Sequence, residues 1–379
     1  MSTLQAEIDE RSQEIQTDGY SMSINEAVAM YDAGDLDVHP EFQRIFRWSI
    51  EQQSKLIESI FLGIPIPPIF VAQRDDGVWD VIDGVQRLST ILRFMGALKD
   101  DTGRPDRPEA LVAGEYLPSL QGVYYSAEVA GKELGDGQSE LDEVQRRVFK
   151  RSRLDFQIVR KESDEQAKYD LFQRLNSGTR LSEQESRKCL AVMLDAGFSK
   201  WIDSLAADEH FTNVMNISDR QQEEAYDAGS VLRYLSITKT PNEDLQRMGD
   251  VGEFLTKTMR AFIADADFDR EAEEQRFRQV FSALDEALGA DAFRRHDPAK
   301  DKYSGRFSVS AFEVIATGLA RNWNHWSQLD SADRAERIRE LVPTVWTDEI
   351  FVQRAGGGKA AERRIHFMAS IGDRIFSGE

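Results

Sequence analysis

The sequence holds one cysteine, Cys189, in 379 residues. An intrachain disulfide is therefore excluded, and a reducing cytoplasm is the expected location. Cys189 has no histidine near it in the sequence, so a buried position in a helix is expected rather than a thiol nucleophile. Histidine is scarce too: His39, His210, His296, His325 and His366 are scattered, with no spacing that a zinc or metallohydrolase centre requires. No run approaches the ~18 apolar residues that cross a bilayer, so no membrane partner is expected. The first ten residues are acidic and offer neither the basic nor the apolar segment of a secretory signal. Positive charge is also in deficit, with 47 Lys and Arg against 67 Asp and Glu and a net charge of −20. A clamp that grips DNA with its whole surface is excluded by that balance, because nucleic-acid binders carry a basic footprint.

What is present suffices for two domains or for one domain with a large extension. Hydrophobic residues make up 41% of the chain, enough for a sizeable core. The charge is unevenly spread. Residues 100–143 hold 3 basic and 11 acidic side chains, whereas residues 144–190 hold 12 basic and 7 acidic. A local basic face able to meet DNA is expected in the second stretch, although a solvated helix face has the same composition.

The chain is organised around Asp83-Gly84-Val85-Gln86-Arg87. Val78 to Ile82 reads as a short buried strand after a charged turn. Beyond Gly84 the apolar residues Val85, Leu88, Ile91, Leu92, Met95 and Leu98 fall at helical spacing. A strand feeding a helix through an Asp-Gly corner leaves the first helical N–H groups unpaired, at the positive end of the helix dipole. Such a corner suits an anion, and Arg87 adds a fork-shaped cation one turn in. Asp83 suits a divalent metal accompanying phosphates. A purely structural alternative stays open, in which Asp83 caps the helix and Arg87 pairs with Asp83.

Around the corner, residues 1–21 read as a polar tail. Ser23 to Glu26 reads as a capping box opening a short helix, and Leu36 to Arg44 reads as extended, with Pro40 keeping His39 out of helical geometry. Ser49 to Gln52 is a second capping box, before a helix whose buried face is Leu56, Ile57, Ile60 and Phe61. Ile64 to Pro68 must run extended into a strand at Ile69 to Ala72. Residues 99–141 read as a decorated connection, 141–150 as helix, 154–160 as strand and 164–175 as helix. Beyond residue 190 the segments 190–205, 229–237, 245–263, 271–288, 308–323 and 331–342 have helical periodicity, with few strand candidates. A mostly helical C-terminal domain over 191–379 is expected.

Four ordered blocks resemble one family. They are Pro40-Glu-Phe-Gln43-Arg44-Ile-Phe-Arg47-Trp48, Leu56 to Pro68, Asp83-Gly-Val-Gln-Arg87-Leu-Ser-Thr-Ile, and Phe172-Gln-Arg-Leu-Asn176 through Arg187. Together they are similar to the N-terminal domain of GmrSD-type restriction enzymes, within the ParB and sulfiredoxin superfamily, over residues 22–190. The resemblance implies an α+β fold, a small mixed sheet with flanking helices that binds a nucleoside triphosphate (GTP, ATP or CTP) with Mg²⁺ and often hydrolyses it. It further implies a role in prokaryotic defence against foreign or modified DNA. The family's Asp-Gly-Gln-Gln-Arg signature is met by Asp83, Gly84, Gln86 and Arg87, with Val85 replacing the first Gln.

Position by position, the resemblance implies that the helix start and Arg87 hold the phosphates, with Gly84 among the nucleotide-binding residues and Gly178 allowing close approach beside Asn176. Arg44 or Arg47 would add a second cation, Asp83 would bind Mg²⁺, and Gln86 or Gln43 would orient an attacking water. Asn176 would close the site. Trp48 is expected to anchor the core and Val85 to pack inward. Relatives often carry a His-dependent nuclease module downstream, and no such signature occurs between residues 190 and 379. A separate nuclease subunit is therefore the expected partner for cleavage. A ParB-like nuclease and a catalytically silent, nucleotide-switched interaction module are the alternative readings. Gly356-Gly-Gly-Lys359 lacks the earlier glycine of a phosphate loop and is followed by Ala360, so a flexible turn is expected there.

Overall fold

The computed structural model describes residues 17–38, 48–100, 103–160, 183–217, 226–355 and 363–378. The chain divides into two compact units, Met1–Arg180 and Leu181–Glu379.

The first unit begins with β1 (Thr17–Ser23), α1 (Ile24–Ala33) and β2 (Leu36–Asp37). Residues 17–21, expected in the tail, are instead paired: β1 runs antiparallel to a strand near the end of the unit, from Thr17↔Val159 to Ser23↔Arg153. Ser23 caps α1 by accepting from the Glu26 N–H, but the reciprocal half of the expected capping box is missing. Glu26 accepts from the Tyr20 hydroxyl at 2.9 Å instead, because β1 brings that ring alongside.

Next come α2 (Ile50–Leu62), β3 (Ile69–Gln73), β4 (Trp79–Asp83) and α3 (Val85–Phe94). The Ser49–Gln52 capping box is complete, and Gly63, at φ 66, ends α2. The connection that follows holds β5 (Val123–Tyr124), α4 (Ala127–Ala130) and β6 (Ser139–Glu140). It is tied to α2 by Glu58, which is 3% exposed and accepts from the Tyr116 and Leu117 N–H groups. Burying that carboxylate is tolerable because backbone donors satisfy it. The unit continues through α5 (Glu143–Arg151) and β7 (Arg153–Val159).

Five strands form one mixed sheet in the order β1-β7-β3-β4-β2. The β7–β3 and β4–β2 pairs are parallel, and the other two are antiparallel. Ile57, Val71, Leu88, Ile91, Leu92, Phe149 and Phe156 are fully buried between sheet and helices. Val85 and Trp48 pack against this core from its edge, as the apolar stripe requires. The β3–β4 register shifts between Phe70 and Val71, so Phe70 faces Asp83 while Val71 faces Val81. Such a bulge bends the strand and re-aims side chains. Here it lies where β4 delivers Asp83 to the corner.

The second unit is helical: α6 (Glu183–Leu194), α7 (Ala196–Ala206), α8 (Glu209–Met215), α9 (Tyr226–Lys239), α10 (Asn242–Leu245), α11 (Val251–Ala264) and α12 (Arg270–Leu288). A hairpin of β8 (Arg295–Asp297) and β9 (Lys302–Ser304) follows, a strand pair that the helical periodicity does not reveal. Then come α13 (Val309–Arg321), α14 (Trp323–Trp326), α15 (Ser331–Val345), α16 (Glu349–Arg354) and α17 (Ile365–Ile375). The expected single helices over 190–205 and 245–263 are each two. Asp195 and Asp250 cap new helices by accepting from the Phe198 and Glu253 N–H groups, which restarts the chain at those points. Cys189 falls on α6. No helix among the described residues is long and apolar enough to cross a membrane.

α13 and α17 cross where two glycines meet. A Cβ on Gly372 would sit 2.5 Å from the Val314 carbonyl oxygen, and one on Gly318 would sit 2.7 Å from the Gly372 Cα. Those neighbours are backbone and cannot swing aside. Gly372→Ala is expected to lower the unfolding free energy by about 1–3 kcal/mol, read from the urea midpoint, because the helices must separate to admit a methyl group.

Candidate functional site

The corner is made by β4 ending at Asp83, Gly84 turning the chain, and α3 starting at Val85. Gly84 has φ 90, in the left-handed region where a side chain is strained. A Cβ there would also lie 3.1 Å from Arg87 Nη2 and 3.2 Å from Ile69 Cγ1. The turn therefore needs glycine on two counts.

No side chain caps α3, and no acidic residue stands in its first turn. Asp83 does not fill that role; its Oδ2 accepts from Arg87 Nη2 at 2.8 Å. The second nitrogen of the guanidinium, Nη1, donates to the Pro67 carbonyl and, at 3.0 Å, to the Pro68 carbonyl. Arg87 thus holds the extended Ile64 to Pro68 run against the start of α3, one turn along the helix from Asp83. Both charged side chains are largely buried, at 13% and 21% exposure for Arg87 and Asp83. The Asp83–Arg87 pairing of the structural alternative is therefore present, with a proline clamp that sequence spacing does not announce.

Gln86 Oε1 accepts from the Trp48 N–H at 3.4 Å, while Gln53 Nε2 donates to the Trp48 carbonyl at 2.8 Å. These contacts fix the residue that directly follows Arg47 in the chain. The structure therefore brings Asp83, Gly84, Gln86 and Arg87 together. Gln43, Arg44, Arg47 and Asn176 lie outside the described residues, as does the Gly356–Lys359 stretch expected to be a turn.

Among the described residues, no three His, Cys, Asp or Glu side chains cluster as a metal cage. A lone Asp83 carboxylate still fits Mg²⁺, which takes one or two carboxylates and completes its shell with phosphate oxygens and water.

An α+β domain with a small mixed sheet, a carboxylate at a strand end and an uncapped helix start is thus joined to a mostly helical unit. Residues 24–192 match the family described as GmrSD restriction endonuclease, N-terminal domain. The chain therefore carries a restriction-system domain. No curated protein and no solved structure matches it.

Proposed function

We propose that the protein is a nucleoside-triphosphatase acting as the sensor or regulatory component of a modification-dependent or anti-phage restriction system. The observation that carries this reading is the corner itself: an uncapped helix start beside Asp83 and Arg87, in a domain of the GmrSD family. In this reading the Val85, Gln86 and Arg87 backbone N–H groups meet phosphate oxygens, and the guanidinium adds charge where it develops. Asp83 would hold Mg²⁺, which when bound would supply positive charge to offset the negative charge developing on the phosphates. Gln86, positioned through Trp48, orients a water toward the γ-phosphorus; the water oxygen bonds to that phosphorus as its bond to the β–γ bridging oxygen breaks, giving nucleoside diphosphate and inorganic phosphate. Gln43, Arg44, Arg47 and Asn176 complete the site by resemblance. DNA is met through the basic region 144–190, where α5 exposes Arg147 beside Val144 and Val148, and a separate nuclease subunit supplies the cut.

A second reading is favoured by one specific contact. Arg87 already has Asp83 and two proline carbonyls as acceptors, which suits a switch that senses nucleotide without turnover. Phosphate release from GTP, ATP and CTP with Mg²⁺ separates the two. The expected result is release by the wild type and none by Asp83→Ala or Arg87→Ala. Absence of release from every sample, with DNA added, leaves the second reading.

A further inference from the structure

The helical unit holds an open cavity of about 510 Å³ lined by Tyr226, Arg233, Phe307, Ser308, Ser310 and Arg364, among others. That volume lies within the ~300–1,000 Å³ typical of small-molecule sites. Behind its polar wall is Glu313 of α13, which is 0% exposed. Glu313 Oε1 accepts from Arg233 Nη1 at 2.6 Å, and Arg364 reaches both oxygens, from Nε at 3.0 Å and from Nη2 at 3.1 Å. Two guanidinium groups thus share one carboxylate. No second carboxylate among the described residues pairs with either arginine.

Among the described residues the arrangement leaves a surplus positive charge at a wall where solvent screening is weak, since Arg364 is 8% exposed and the Arg233 side chain 17%. An unbalanced charge at such a wall is costly and attracts an anion. α13 begins at the same cavity, through Ser308, Val309 and Ser310, so its helix dipole acts in the same sense. On another part of the wall the Tyr226 and Phe307 rings meet edge to face, with centroids 6.1 Å apart. Burial pushes the Tyr226 phenol above its ordinary value, so it stays neutral near neutral pH. Flat apolar rings next to a cationic wall suit a ligand that is aromatic at one end and anionic at the other.

We propose that this cavity binds a small phosphorylated heterocycle of the nucleoside monophosphate class, its phosphate on Arg233 and Arg364 and its base against Tyr226 and Phe307. The site belongs to the helical unit and does not depend on triphosphate recognition at the corner. Calorimetric titration of the full chain with AMP, GMP, CMP, UMP and inorganic phosphate tests it. At least one monophosphate is expected to bind, more tightly than inorganic phosphate. Arg233→Gln should weaken that binding by about tenfold or more. Ser308→Asp gives a second test that preserves the helix cap, since aspartate caps as well as serine. Its added carboxylate should satisfy the surplus charge and abolish binding. Three results would overturn the proposal: no probe binding the wild type at millimolar concentration, inorganic phosphate binding as well as the nucleotides, or affinity unchanged in folded Ser308→Asp.

Discussion

Arg87→Ala is expected to abolish triphosphate binding and also to destabilise the first unit by about 2–4 kcal/mol, a range set by charge-assisted hydrogen bonds and broken, largely buried pairs. Two separate losses produce this. The proposed phosphate site loses its fork-shaped cation, and the Pro67 and Pro68 carbonyls, together with the Asp83 carboxylate, lose their shared donor. Asp83 is then left largely buried without its cation. Arg87→Lys separates the effects, because an ammonium keeps the charge but cannot span a carboxylate and two carbonyls in the same geometry. Its stability should fall between wild type and Arg87→Ala in urea unfolding, with triphosphate affinity clearly reduced. A stability equal to wild type in Arg87→Ala would mean that the proline clamp contributes nothing.

The second large effect is expected at Glu313. Removing this fully buried carboxylate leaves Arg233 and Arg364 as neighbouring cations without compensation. Glu313→Ala should cost about 3–5 kcal/mol, the range for breaking a buried pair by deleting one partner. Glu313→Ala combined with Arg233→Gln should recover part of the loss, since one of the two stranded charges is gone. The coupling is read from a double-mutant cycle on urea midpoints. Strict additivity would show that Glu313 acts by packing rather than by charge. Added phosphate should stabilise Glu313→Ala more than wild type, because the cavity then carries a second unpaired cation.

Much of the corner is legible in the sequence because its signals are local. The change from strand to helical periodicity across Asp83-Gly84, the Ser49–Gln52 box and the apolar stripe from Val85 each lie within one or two turns of chain. The proline clamp is not legible in this way. It joins Arg87 to carbonyls 19 and 20 residues away, and backbone acceptors leave no mark on residue type. β1 is not legible for a related reason. Five of its seven residues are exposed, so it shows no alternation, and it exists only through pairing with β7 from the far end of the unit. The breaks at Asp195 and Asp250 carry a local signal, an aspartate whose carboxylate accepts from the N–H three residues on. Continuous apolar spacing across each break conceals it. The Glu313 site has the weakest signal of all: one carboxylate in a buried helix with no other acidic side chain, whose partners come from α9 and from the residue before α17.

Backbone amide shifts on adding triphosphate with Mg²⁺ to isotopically labelled protein test the central claim most directly. If the corner holds the phosphates, the Val85, Gln86 and Arg87 N–H resonances move together and saturate with the nucleotide, and Asp83→Ala removes the Mg²⁺ dependence of the response. If those three amides stay in place while the nucleotide binds, the phosphates are held elsewhere and the corner is a structural clamp.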